Sequence, residues 1–332
     1  MQALKKSQNS STFDDVVALS RDDLLAVDKL ISTSLQSDVA LVSQVSEYIV
    51  MSGGKRLRPV IVLLAARAFG YTGEQHIRAA AIIEFIHTAT LLHDDVVDSS
   101  SRRRGQDSAN TVFGNQASVL VGDFLYSRAF QMMVTIDSMR IMQILADATN
   151  TIAAGEVMQL MNVHNPDANE DDYRQVIYRK TARLFESGAQ IAAVLGDRGR
   201  SDEEAMMAYG RHLGTAFQLV DDALDFNASA EELGKNLGDD LAEGKATLPL
   251  IYAMENGSTK DRELIRNAIL DGGLDQLQQI TAIIETTGAL QYTAKRAQEA
   301  ADSAVAALSS IVDSEYKQAL ITIAEFSVQR RS

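Results

Sequence analysis

The stretch AAAIIEFIHTATLLH, residues 79–93, decides the fold. It is apolar on most faces and longer than a buried strand, which runs about 4–8 residues. A helix that is apolar nearly all round belongs at the centre of a bundle. The surrounding segment, 74–98, therefore reads as a long central helix. It ends in DDVVD and is followed by SSSRRRG, an acidic cluster and then a basic one.

Working outward, apolar residues recur at helical spacing. Residues 22–36 place Leu24, Leu25, Val27, Leu30 and Ile31 along one stripe. Residues 57–69 carry Pro59 where a first helical turn accepts it. Helices are expected over 116–135, 138–162 and 170–195, with Pro166 in the turn before the last. At 201–225, Ser201 is the expected N-cap and Glu204 completes a capping box. Residues 227–246 are polar and Gly-rich, an expected functional loop. Shorter helices follow near 246–255, 259–270, 273–286, 288–311 and 314–329. Few segments alternate as strands do. The expectation is one all-α domain over 21–332 behind a flexible polar N-terminus, 1–20. Helices of about 25 residues reach about 38 Å and can wall a long cavity.

Composition limits the function. The 332 residues include no cysteine, so thiolate metal sites, cysteine nucleophiles and disulfides are excluded. A net charge of −14 argues against nucleic acid and against anionic membranes as partners. The N-terminus lacks the apolar core of a signal peptide, and no window is apolar enough to span a bilayer. A cytoplasmic protein with no stable membrane insertion is expected.

Asp94 and Asp98 share a helix face, with Asp95 about 100° round. The pattern returns in QLVDDALDF as Asp221, Asp222 and Asp225. One DDxxD could be a solvated helix end. Two, each ending a strongly apolar helix, point to hard divalent cations that bridge carboxylates to phosphate oxygens. Like charges this close repel unless something cationic neutralises them. His87 and His93 are poorly spaced to complete a zinc site. The basic half of the pattern suits phosphate: Arg103 and Arg104 offer forked donors. GGKRLRP at 53–59 adds Lys55, Arg56 and Arg58 but lacks P-loop spacing. Lys180, Lys235 and Lys245 lie downstream. Together these groups suggest two anionic substrates.

These motifs make the sequence resemble the trans-isoprenyl diphosphate synthases over roughly 25–330. GGKRLRP, HTATLLHDDVVD with its RRG, GEVMQL, KTA, FQLVDD and GKNLGDDLAEGKATLPL carry the likeness. FGNQASVLVGDFLYSRAFQMM and GEVMQLMNV narrow it to long-chain octaprenyl-type members. The resemblance implies a helical bundle around a deep cavity, usually dimeric, with two or three Mg²⁺ per site. It implies metal binding by Asp94, Asp95, Asp98, Asp221, Asp222 and Asp225. It assigns isopentenyl diphosphate to Lys55, Arg58, His87 and Arg104. Arg103, Lys180, Thr181, Gln218 and Lys235 fall to the allylic diphosphate. Asp94, Asp98, Lys180, Asp221 and Asp222 would carry the chemistry. Arg102 has no family role and reads as surface. The linker SSSRRR is less acidic than is usual, with its spacing kept.

The implied reaction ionises the allylic diphosphate, joins the cation to isopentenyl diphosphate and loses a proton to the departing diphosphate. Phe217 and Gln218 are candidates for shielding the cation. The expected product is about C40, with C35 and C45 as alternatives, made from farnesyl diphosphate for a ubiquinone-type side chain. A class I terpene cyclase needs only one diphosphate site, and a regulatory subunit should have lost an acidic motif. Chain length is expected to follow from small residues before Asp94, namely Ile86, Ala89 and Thr90. Phe130, Met132, Met133, Met158 and Leu160 are floor candidates. On this reading Ala89→Tyr shortens the product. A dimer interface, or simply core, is expected over 111–134.

Overall fold

Residues 12–51, 53–226, 238–272 and 274–329 are described by a computed structural model, and their backbone is almost wholly helical. Helices α1 (Phe13–Leu19), α2 (Arg21–Ser34) and α3 (Ala40–Met51) lead into α4 (Leu57–Ala68) and the central α5 (Gln75–Val97). A two-residue hairpin, β1 (Arg102–Arg103) with β2 (Gln106–Asp107), follows α5. Then come α6 (Ala109–Phe113), α7 (Asn115–Ile136), α8 (Met139–Asn162) and α9 (Glu170–Ile177). A π-helical turn, Tyr178–Ala182, joins α9 to α10 (Arg183–Leu195), which precedes α11 (Arg200–Leu224). The C-terminal part holds α12 (Asp239–Ala242), α13 (Leu248–Asn256), α14 (Thr259–Asp271), α15 (Leu277–Thr287), α16 (Ala289–Ala307) and α17 (Glu315–Gln329).

Helix α5 is central for the reason its sequence gives. Ala79–Ile83, Phe85, Ile86, Ala89 and Leu92 are all buried, and α2, α4, α7 and α10 pack around them. Each fully buried isoleucine here contributes about 1.5–3 kcal/mol. Helix α11 runs between α10 and α16. Its approach to α10 depends on absent side chains. A Cβ on Gly210 would lie 2.5 Å from the Phe185 carbonyl oxygen, and one on Gly214 2.6 Å from Ala182 Cα.

Several local expectations need correction. Residues 13–19, inside the stretch expected to be flexible, form α1, whose Phe13 ring stacks 4.6 Å from that of Phe326 on α17. The expected Ser201 cap is absent, because the helix starts at Arg200 after extended Gly199. Glu204 instead takes an ion pair from Arg200 at 2.8 Å. The helix expected over 170–195 is broken by the π turn, which packs its Arg179–Lys180 backbone onto Gly155 of α8. Helix α7 is partly core and partly exposed. Val121, Leu125, Ala129 and Met133 are buried, while Leu120 and Val134 are 66% and 65% exposed.

Candidate active site between two acidic helix ends

Both long apolar helices end in carboxylates. Asp94 and Asp95 occupy the last turn of α5 and Asp98 caps it. Asp221 and Asp222 occupy the last turn of α11 and Asp225 caps it. Between the two ends lies a chamber of about 240 Å³ lined by Asp94, Asp98, Asp222, Asp240 and Lys245. It adjoins a larger one of about 540 Å³ that holds Lys55, Arg56, Arg58, Glu84, His87, Arg104 and Asp221. Arg103, Lys180, Thr181 and Gln218 line both. A π turn widens the helix, and such turns recur at functional sites. Here consecutive Lys180 and Thr181 both reach the chambers.

The basic wall is assembled from three separate segments. The hairpin turns through Arg104 and Gly105, both at positive φ, as a two-residue primed turn demands. Arginine in that region is strained, a cost tolerated mainly at functional sites. The turn lays the Arg104 guanidinium on Gly54, where a Cβ would lie 2.8 Å from it. The double glycine of GGKRLRP thus joins two basic motifs. Arg58 Nη1 donates to His87 Nε2 at 3.1 Å and lies 4.4 Å over the Phe185 ring. Burial draws the Arg58 pKa down to about 10, against the pull of Glu84 and Asp221, so it stays charged near neutrality. Burial, followed by Arg58 and Arg104, holds His87 well below its ordinary value, so it is the neutral acceptor. Lys55 lies 5.2 Å from the Phe326 ring centroid, and Phe13 closes the same chamber.

On the acidic side, Lys180 Nζ lies 2.7 Å from Glu156 and 3.5 Å from Asp94. Lys245 Nζ lies 2.9 Å from Asp98. Asp222 accepts from Gln218 at 2.8 Å and from the Tyr173 hydroxyl. Thr181 donates to Gln218 Oε1 at 2.9 Å. Burial, and then Asp240, push both Asp222 and Asp225 up to about 8. Such crowding suits an added cation. The donors are all carboxylate oxygens, which favours a hard divalent ion. Among the described residues no three acidic or histidine side chains gather as a ready single-ion cage.

Two expected ligands sit apart. Asp95 is fully buried, accepts from Arg103 Nε at 2.6 Å and lines none of these chambers. It holds Arg103, and its other oxygen is buried without a hydrogen-bond partner. Asp225 turns to the Asp240 N–H, which donates to it at 3.3 Å. Lys235 and most of the expected 227–246 loop lie outside the described residues.

A groove of about 730 Å³ continues below Asp94 between α5, α7 and α8. Thr90 and Phe130 line it, as expected. Ile86, Ala89 and Met133 do not, because they point into the closed core, as does Met132. Met158 lines none of these chambers, and Leu160 is 60% exposed on α8. The groove is lined instead by Tyr126, Ile152 and Ala153, with His93 stacked on Tyr126.

Motif reading also missed functional candidates. Glu84 anchors the basic wall through Arg56 at 2.5 Å. Its signal was an isolated acid within an apolar helix, one turn before His87. Glu156 lay unassigned within GEVMQL. Lys245 was grouped with the basic residues but given no partner, and Asp240 drew no notice beside the two DDxxD copies.

This arrangement, two acidic helix ends facing a shared cavity with one cationic wall, defines a diphosphate-handling helical enzyme. Residues 39–287 match the Polyprenyl synthetase family, and the chain belongs to it as a prenyltransferase. It is 52% identical to octaprenyl diphosphate synthase of Escherichia coli (strain K12), over 94% of this chain and 97% of that one. It is 47% identical to the geranyl-diphosphate-specific all-trans-nonaprenyl-diphosphate synthase of Rhodobacter capsulatus, over 95% and 97%. A crystal structure of polyprenyl synthase from Caulobacter crescentus CB15, complexed with calcium and isoprenyl diphosphate, superimposes with a TM-score of 0.93. It is 42% identical and covers 98% of this chain and all of that one.

Proposed function

We propose that this prenyltransferase adds isopentenyl diphosphate repeatedly to farnesyl diphosphate and releases all-trans octaprenyl diphosphate, about C40, for a ubiquinone-type side chain. One observation carries the reading. Arg103, Lys180, Thr181 and Gln218 border both an acidic and a basic chamber, so two diphosphates can lie side by side. The higher identity to octaprenyl than to nonaprenyl relatives supports the chain length.

Isopentenyl diphosphate sits on Lys55, Arg58, His87 and Arg104. The allylic diphosphate faces Arg103, Lys180, Thr181 and Gln218, with Lys235 assigned there by family resemblance. Asp94, Asp98, Asp221 and Asp222 would hold two or three Mg²⁺, and the metal would supply Lewis-acid charge for a leaving diphosphate. Lys180 and Arg103 stabilise the negative charge that develops as the C–O bond breaks. The double bond of isopentenyl diphosphate attacks the cation, and the departing diphosphate takes the proton. Phe217 lines the chamber at that point and helps exclude water. The tail descends into the groove toward Phe130. The reading places the enzyme in the cytoplasm, as a dimer built on the exposed face of α7. Among the described residues no helix is long and apolar enough to cross a membrane.

The test is a product assay with farnesyl diphosphate, labelled isopentenyl diphosphate and Mg²⁺. A dominant octaprenyl product after dephosphorylation is expected. No incorporation by folded protein would overturn the reading in favour of a cyclase or a regulatory subunit.

A further inference from the structure

The basic chamber and the lower groove share three lining residues among those described: Thr90, Asp94 and Glu156. A chain passing from one to the other must pass between α5 and α8 at that point. Glu156 is the unexpected member. Toward the N-terminal end of α8 the groove is lined by Ile152 and Ala153, with Tyr126 and Phe130 of α7, together with the polar Ser127, Thr149 and Asn150. A carboxylate beside a largely apolar wall costs free energy unless something holds it. Glu156 Oε2 is held by Lys180 Nζ at 2.7 Å, on the side of the diphosphate chambers. Its other oxygen, Oε1, is buried without a hydrogen-bond partner.

We propose that Glu156 is a specificity-determining residue: tied to Lys180, it forms the α8 side of a throat through which the growing prenyl chain enters the groove. The ion pair draws the side chain toward the diphosphate site and leaves the path open. The size of the residue, rather than its charge, then decides how far elongation proceeds. The inference rests on the elongation reading above.

The experiment uses the full chain with farnesyl diphosphate, labelled isopentenyl diphosphate and Mg²⁺. Two variants, Glu156→Gln and Glu156→Phe, are compared after thermal melting has confirmed that each folds. Gln has the same size, and its carbonyl can accept from Lys180, so the wild-type product length is expected. Phe obstructs the throat, so a dominant product several isoprene units shorter is expected. Full-length product from the Phe variant would overturn the throat. Equal shortening by Gln would overturn the role of size. A folded Phe variant that adds no isoprene unit would also overturn it, assigning Glu156 to the diphosphate site instead. A wild-type protein that adds none would overturn the elongation reading first and the throat with it.

Discussion

Asp94 borders all three chambers around the site, and Lys180 lies 3.5 Å from it. On the proposed reading its carboxylate faces the leaving diphosphate, where developing charge must be compensated. Asp94→Ala is therefore expected to lower kcat by about 10²–10³ or more, the scale of losing a preorganised electrostatic group. Steady-state rates at saturating Mg²⁺ check this, and a near-normal kcat would remove Asp94 from the chemistry. The two DDxxD motifs were legible because their meaning lies in local spacing. Ala89 shows the limit of such counting. Its position before Asp94 suggested a tunnel wall, yet it is fully buried in the core, and its neighbour Thr90 lines the groove. Which side of an all-apolar helix meets a cavity depends on neighbouring helices. Glu84 and Glu156 stayed silent for the same reason, since their partners Arg56 and Lys180 come from elements distant in sequence.

At the scale of elements, the N-terminal layer is fixed to the bundle by polar contacts as well as apolar ones. Asp23 of α2 accepts from Arg67 of α4 at 2.7 and 2.9 Å and lies 3.2 Å from His76 of α5. Burial works to raise the Asp23 pKa, but the hydrogen bonds from Arg67 and the nearby His76 ring outweigh it and hold it below the usual carboxylate value. A depressed folded pKa means stability that is present above the unfolded value of 3.8 and lost as pH falls through the folded one. Asp23→Asn is expected to cost about 1–2 kcal/mol at neutral pH. That difference should shrink below about pH 4, as the wild-type carboxylate is protonated too. Urea melts at pH 7 and pH 3 measure it, and an equal loss at both would show that charge is not the cause. The long helices were legible from periodicity because each presents or buries a broad apolar surface. The π turn was not, because it follows from Gly155 and Gly214 letting α8 and α11 close on 178–182. Helix α1 was missed because its partner, Phe326, lies at the far end of the chain.

For the whole molecule, a net charge of −14 surrounds a cavity whose inner wall is basic. The excess of acid therefore keeps the outer surface anionic, while phosphate recognition stays inside. Among the described residues, exposed apolar side chains recur along and beside α7. Leu120 and Val134 on α7, with Val97 at the end of α5 and Val112 on α6, are each roughly half exposed or more. Their helix already buries Val121, Leu125 and Met133 on its other side, so the exposed residues serve no core within one chain. Exposed apolar side chains along one helix suit an interface. A second copy of the same chain, meeting this face about a twofold axis, would cover it symmetrically. The proposed dimer would also place its interface along α7, the helix that carries Phe130 into the groove, so assembly and tunnel wall would share one element. The double variant Leu120→Asp with Val134→Asp removes apolar contact and places like charges across the axis. It is expected to sediment as a monomer where the wild type sediments as a dimer. Its products should become less uniform in length, because Phe130 loses the support of the opposing copy. A wild-type monomer at micromolar concentration would remove the dimer from the proposal, while a double variant that stayed dimeric would move the interface away from this face.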